Sequence, residues 1–299
     1  MNIIAKKNIY FIFSLLLIIP GMISLFLYGL NVSIDFTGGS RITYVFSAPV
    51  SQENTQEVKE VFEAVGATGV TTQPSGTSLI VRTPPLNEKQ TANILTQFEQ
   101  RGLNARQESL EIIGPTIGEE TTKKAVIALV LSAILILLYL AWSFRSVPKP
   151  TSSWQFGITT VITLLHDVLV LLGVFSLLGH FYNVEVDSLF ITALLTVMGF
   201  SVHDTIVVFD RIRENLIKGR NTSFANTVND ALIQTMTRSL NTSFTSLLVL
   251  LTLLLFGGDT VRWFIVALLV GIATGTYSSI FNAAPLLVAW QEWKSRKKS

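Results

Sequence analysis

The chain has 299 residues, 49% hydrophobic and 14% charged. Soluble domains carry about 25% charge, so the composition reads as a membrane protein. A net charge of +2 without a basic, aromatic-interleaved surface argues against nucleic acid as a partner, and the lack of cysteine excludes disulfides, thiolate metal sites and thiol catalysis.

The first apolar segment, Asn8–Leu30, is too long for the core of a signal peptide, and no small-x-small cleavage site follows it. It is expected to remain as an anchor. Residues 31–122 then read as a folded α+β domain. Arg41–Phe46 has strand character. Ser51 can cap a helix in which Val58, Val61, Phe62 and Val65 recur at helical spacing, ended by Gly66. Val70–Thr72, a Pro74–Gly76 turn and Leu79–Arg82 predict a hairpin. Asn87 and Gln90 fit a capping box before Ile94, Leu95 and Phe98, with Gly102 after the helix, and Arg106–Ile113 supplies a last strand. The order β-α-β-β-α-β is the ferredoxin-like split unit. The acidic residues Glu53, Glu57, Glu60 and Glu63 read as a solvated helix face. With no nucleophile–base pair and no metal-ligand spacing, the domain suits handling a polypeptide better than enzyme chemistry.

Five more apolar segments follow: Lys124–Leu140, Trp154–Leu178, Ser188–Phe209, Ser239–Phe256 and Trp263–Trp290. Each approaches the roughly 20 residues needed to cross a bilayer core. Basic residues concentrate on one side: Lys6 and Lys7, Arg145 and Lys149, then Arg211, Arg213, Lys218 and Arg220, and a tail over 291–299 ending Lys294-Ser-Arg-Lys-Lys298. The opposite loops, 179–187 and 257–262, hold only Arg262. Both termini are therefore expected in the cytoplasm, with residues 1–30 forming the N-terminus and first crossing, 31–122 outside, and 123–290 the remaining five crossings. Within the last block, about 211–237 is expected to be a cytoplasmic segment. Its Ser223–Met236 part, with Phe224, Val228, Ala231 and Leu232 on one side, predicts an amphipathic helix on the membrane surface.

Charges inside the apolar helices carry the functional signal, because an acid at mid-bilayer costs about 2.5–3.5 kcal/mol on insertion scales. His203 and Asp204 lie in the fourth helix, Asp204 about 7–8 Å from its cytoplasmic end at 1.5 Å per residue. Arg238 opens the fifth helix in the same half of the membrane, which makes it a candidate partner. Two readings stay open at this point: a proton relay through the pair, or a static salt bridge with Arg238 free to snorkel. His203 points about 100° round the helix from Asp204 and is the weaker relay candidate, free to face another helix or lipid-side water. Asp167, after His166 in the third helix, lies near the midplane, the costliest depth for a charge, and is a further relay candidate, the alternative being helix–helix hydrogen bonding. Asp210, beside Arg211 and Arg213, suits an ion pair at the membrane edge. Gly271 and Gly275 make a small-xxx-small packing face, with Gly199 one turn before His203 as a further packing candidate.

Four stretches also carry a family resemblance: Ile34-Asp35-Phe36-Thr-Gly38-Gly39-Ser40; Ile113-Gly114-Pro115-Thr-Ile-Gly-Glu119; Gly199–Asn215 with Asp210, Arg211, Arg213 and Glu214; and Gln234–Ser243. In these the chain resembles the SecF side of the SecD/SecF protein-export family, of the resistance-nodulation-division superfamily. The resemblance implies a six-helix polytopic bundle, half of a pseudo-symmetric twelve-helix assembly, completed by SecD. It implies proton-driven help to late steps of export through the SecYEG channel, with the external domain engaging the unfolded preprotein in transit. The family's essential acid falls on Asp204 and its essential arginine on Arg238. His203 departs from the amide that many relatives carry there. No cofactor is implied beyond protons as the coupling ion. The alternative is a scaffold that stabilises the channel assembly without conducting protons. A small-molecule exporter is disfavoured by the small external domain.

Overall fold

A computed structural model describes residues 2–103, 105–219 and 223–297. Arg220 and Lys298, two of the basic residues that argue for sidedness, and the end of the basic tail lie outside these. The chain divides into two compact units, one made of Met1–Asn31 with Ile127–Ser299 and the other of Val32–Val126.

The smaller unit opens on a single helical turn over Ile34–Thr37, capped by Ser33, whose Oγ accepts the Asp35 N–H. Strand β1 (Gly39–Phe46), a helix over Gln52–Ala64, β2 (Thr71–Ser75), β3 (Ser78–Thr83), a helix over Glu88–Gln100 and β4 (Ala105–Ile113) follow in the expected β-α-β-β-α-β order. The sheet runs β2-β3-β1-β4 with every neighbour antiparallel, which is the ferredoxin-like arrangement. Alternation along β1 buries Ile42, Tyr44 and Phe46, which meet Val58, Val61 and Phe62 from the first helix and Ile94 and Phe98 from the second. Both helices start with reciprocal capping boxes, Ser51 with Asn54 and Asn87 with Gln90. The hairpin differs from the expected one. Its strand runs through Pro74, which pairs with Leu79, and the turn is Gly76-Thr77 with Gly76 at φ +60°. Proline is tolerated there because β2 is an edge strand.

The larger unit is a helix bundle. We label its crossing helices αA (Lys7–Tyr28), αB (Pro115–Ser143, whose first turns belong to the smaller unit), αC (Ser153–Tyr182), αD (Ser188–Lys218), αE (Phe224–Phe256) and αF (Asp259–Ser278) with its continuation αG (Ala284–Arg296). Six runs are long and apolar enough to cross a membrane, αF and αG counting as one. About half of αC, αD and the αF–αG run is buried, against 6% of αB and 11% of αE, so three helices form the inside and αA, αB and αE turn broad apolar faces outward.

Two elements depart from expectation. Ser223–Met236 is no surface helix but the first turns of αE, and Val228, Ala231 and Leu232 join Ile3, Phe209, Ile212 and Leu287 in the bundle core. The apolar face was real; protein, rather than lipid, covers it. The sixth crossing is broken by a π turn over Ser279–Ala283. Pro285 lacks an N–H and crowds the carbonyl four residues earlier, and the widened turn accommodates it at the head of αG.

Candidate functional site

The site is built where αF comes unusually close to αD. A Cβ added to Gly271 would lie 2.2 Å from Val197 Cγ2, and one on Gly275 would lie 3.0 Å from Ser201 Cβ. Those two glycines therefore act as the expected packing face. Gly199 does not: it is exposed, and an added Cβ would meet nothing within 4 Å. A comparable approach joins αA to αC, where Gly21 and Gly173 would each collide with the other's backbone.

Close packing brings hydroxyls onto both buried acids. Asp167, on αC, is 1% exposed. Its Oδ2 accepts from Ser201 Oγ of αD at 2.6 Å and Ser278 Oγ of αF at 2.8 Å, and its Oδ1 lies 2.9 Å from His166 Nδ1. One carboxylate thus ties three helices together. Ser279, the first residue of the π turn, donates to the Ser201 carbonyl at 3.0 Å and lies 3.0 Å from Thr205 Oγ1.

Asp204, on αD, is 2% exposed. Ser243 Oγ of αE donates to its Oδ2 at 3.2 Å, and Thr276 Oγ1 of αF lies 2.7 Å from Ser243 Oγ. His203 Nδ1 is 3.8 Å from Asp204 Oδ1, while the imidazole itself is 65% exposed. The acid faces the bundle interior and the adjacent histidine faces out, as their angular separation predicts.

Arg238 does not pair with Asp204. The antiparallel contacts Asp204–Ser243 and Arg211–Gln234 (2.5 Å) set the register of αD and αE and place Ser243, five residues beyond Arg238, level with Asp204. Five residues amount to about 7.5 Å along a helix, a gap that assigning both residues to one half of the membrane does not separate. Arg238 is exposed and instead lines a cleft of about 630 Å³ together with Asp210, Arg211, Arg213 and Glu214. Around that cleft Arg213 pairs with Asp210 at 2.8 Å, Arg211 with Glu214 at 2.5 Å, and Lys218 also reaches Glu214. Gln234 Oε1 accepts from Arg211 Nε and, at 3.1 Å, from Asn215 Nδ2, fastening αD to αE. Asp210, Arg211, Arg213 and Glu214 are thus a mutually paired cluster.

The remaining motif residues meet in the smaller unit. The turn holding Asp35, Phe36, Gly38 and Gly39 packs on the start of αB. Gly38 sits at φ +71°, and a Cβ there would be 2.8 Å from Pro115 Cα; one on Gly118 would be 2.7 Å from Gly38 N and Phe36 O. Gly114 and Pro115 are therefore the surface against which Gly38 closes, joining the two motifs by backbone contact.

Sequence reading overlooked Ser201, Ser243 and Ser278 as partners of the acids, and Thr205, Thr276 and Ser279 as the hydroxyls that support them. Their signal was present: Ser201 and Thr205, and Gly275 and Ser279, are spaced by four and so lie on one face of their helices.

A profile for the C-terminal region of protein export membrane protein SecD/SecF matches residues 93–293, and the SecD/SecF GG-motif profile matches residues 23–50. The protein translocase subunit SecF of Thermobaculum terrenum is 43% identical over 97% of this chain and 94% of its own length. That of Anaerolinea thermophila is 38% identical over 99% and 96%. The crystal structure of SecDF, a translocon-associated membrane protein from Thermus thermophilus, superposes with a TM-score of 0.84 at 35% identity, over 98% of this chain. This chain spans 39% of that longer one. A SecDF structure in a super-membrane-facing form gives a TM-score of 0.70, over 100% of this chain and 40% of that one. The six-helix bundle is accordingly of the resistance-nodulation-division type, and the chain belongs to the SecD/SecF family of protein export membrane proteins, on its SecF side.

Proposed function

We propose that this chain works with a SecD partner to draw on the proton gradient and promote late steps of Sec-dependent protein export across the bacterial cytoplasmic membrane. The clients are unfolded preproteins leaving the SecYEG channel, and the small α+β unit, facing outward, engages them. Both termini face the cytoplasm, in keeping with the basic residues of the short loops.

Asp204 carries the reading. It is a buried acid in a membrane helix whose contacts are the Ser243 hydroxyl and the His203 ring, rather than a guanidinium or ammonium group. A hydroxyl can donate to a carboxylate and accept from a carboxylic acid, so Ser243 serves both protonation states without rearranging its helix. Arg238, on αE, lines the cleft that Ile206, Val207 and Asp210 of αD, the helix of Asp204, also line. In the proposed cycle it moves between this cleft and the neighbourhood of Asp204, favouring the charged form of the acid when near and releasing it when away. Each proton entering down about 100 mV yields about 2.3 kcal/mol from the electrical component.

The single-chain SecDF relatives of Thermus thermophilus and Bacillus subtilis support SecD as the partner. A scaffold role finds support in Asp167, whose carboxylate already has three close donors and joins three helices. The two are separated by proton flux and export in vesicles carrying the chain with SecD. Asp204→Asn is expected to abolish gradient-dependent stimulation while the complex still assembles. Full stimulation in that variant would remove Asp204 from the relay and leave the scaffold role.

A further inference from the structure

The His166–Asp167 dyad is the buried titratable group that this function leaves unused. His166 is 8% exposed, and among the described residues its buried Nε2 has no hydrogen-bond partner. A buried polar atom left unsatisfied in an apolar bundle is costly, so its retention calls for an explanation. Asp167 fixes the ring. When its carboxylate is ionised it can only accept, so Nδ1 at 2.9 Å then carries the hydrogen and Nε2 presents a lone pair.

Helix register places a second polar network level with the ring. The αA–αC contacts Gly21–Gly173 and Ser24–Ser176 share one offset, which brings Ser14 level with His166. His166 lies seven residues before Gly173, two turns down the same stripe of αC. At that level Ser14 Oγ donates to Asn282 Oδ1 of the π turn at 2.9 Å and lies 3.5 Å from the Tyr277 hydroxyl, which donates to the Tyr10 carbonyl. The dyad therefore stands between two polar networks. On one side are Ser201 and Ser278, bound to Asp167; on the other are Ser14, Asn282 and Tyr277. The π turn and its flanks contribute to both.

The geometry points to His166 as a second proton-carrying residue of the bundle, with Nε2 as the atom that takes up the proton and Asp167 as its positioning residue. The step is balanced. A proton arriving at Nε2 from the Ser14–Asn282 side gives an imidazolium held against the Asp167 carboxylate. The Nδ1 proton then passes to Asp167 Oδ1, leaving a neutral acid and a neutral ring whose hydrogen is now on Nε2; loss of the acid's proton toward the Ser201 and Ser278 hydroxyls restores the carboxylate, and a flip of the ring restores the Nδ1–H form. The ionisable group in contact with the ring is Asp167 on its own helix, and Tyr277 on αF and Tyr10 on αA belong to the network level with it. Asp204 lies three residues beyond Ser201 on αD. Among the described residues no lysine, arginine or glutamate hydrogen-bonds to or pairs with the dyad.

This inference rests on the reading of Asp204 as a proton carrier, and the test separates the two. The full chain, labelled with 15N-histidine and reconstituted with unlabelled SecD partner, contains only three imidazoles, His166, His180 and His203. One, assigned by its loss in His166→Gln, is expected as the Nδ1–H form at high pH and should gain a proton on Nε2 as the pH falls. Proton flux should fall about tenfold or more in His166→Gln, and Asp167→Asn should displace the titration of the His166 ring. A ring that keeps one tautomer and takes up no proton overturns the proposal, even if His166→Gln fails to assemble. Flux lost in Asp204→Asn but kept in His166→Gln overturns the dyad alone. Flux kept in both overturns the Asp204 reading as well.

Discussion

Replacing Gly271 by alanine tests how much of the site depends on the spacing of αD and αF. The new methyl would lie 2.2 Å from Val197 Cγ2 and 2.8 Å from Cγ1, where carbon atoms prefer about 3.5–4.0 Å. Val197 is buried and β-branched, with one strongly preferred rotamer in a helix, so it has little room to turn away. Relief requires the helices to part by about 1.3–1.8 Å, which stretches the 3.0 Å bonds of Ser279 to the Ser201 carbonyl and to Thr205 beyond hydrogen-bond range. Overpacking costs about 1–3 kcal/mol and the two bonds about 1 kcal/mol each, for a total of about 3–5 kcal/mol. Adding Val197→Ala removes both clashing methyls and leaves Cβ at 3.0 Å. The double variant should recover most of the loss, apart from about 1.6 kcal/mol for the deleted methyls. Unfolding free energies of the four proteins in detergent would form the cycle. A loss below about 1 kcal/mol for Gly271→Ala, or additive losses in the pair, would refute the account of this contact.

Three further outcomes follow from the geometry. Tyr44→Phe removes a buried hydroxyl that has no partner and should leave the α+β unit unchanged or up to about 1 kcal/mol more stable by unfolding of the full chain. Burial pushes the Tyr44 phenol above its usual pKa of 10.0, so the unfolded chain loses this proton first: stability of the wild type should be flat in this group below that pH and decline above it, and the phenylalanine variant should lack that component of the slope. Gly38→Ala combines positive φ with a backbone collision and should cost about 2–5 kcal/mol, whereas Gly29→Ala, also at positive φ (+68°) but with open space, should cost about 1–2 kcal/mol, both read by hydrogen exchange or unfolding. Gln234→Ala should weaken the αD–αE junction by about 1–2 kcal/mol and accelerate amide exchange at the start of αE; unchanged exchange would mean that Arg211 and Asn215 do not depend on it.

Local chemistry made much of this fold legible. The capping pairs at Ser51 and Asn87 and the alternation Ile42–Tyr44–Phe46 depend on near neighbours, and each appears where its pattern placed it. Pro74 misled because its tolerance depends on the strand lying at the sheet edge, which no short window contains. Ser223–Met236 misled differently. An amphipathic face records that something apolar covers it, and the pattern is the same for lipid and for Phe209 and Ile212. In the site, the acids were legible through their cost in an apolar helix. Their partners were not, because a serine in a membrane helix usually bonds back to its own backbone, and only the contact at Gly271 and Gly275 turns Ser201 and Ser278 toward Asp167.

The π turn at Ser279–Ala283 amounts to one inserted residue in an otherwise regular helix. Deleting a single residue there would restore the α pitch and leave the helix after it in its present phase: Leu287 and Val288 would stay in the bundle core and Glu292 would still face Lys7, 2.5 Å from it now. The same deletion in the regular turns on either side would swing everything after it by about 100°. The wide turn is thus where this crossing can lose a residue and keep its C-terminal end in place.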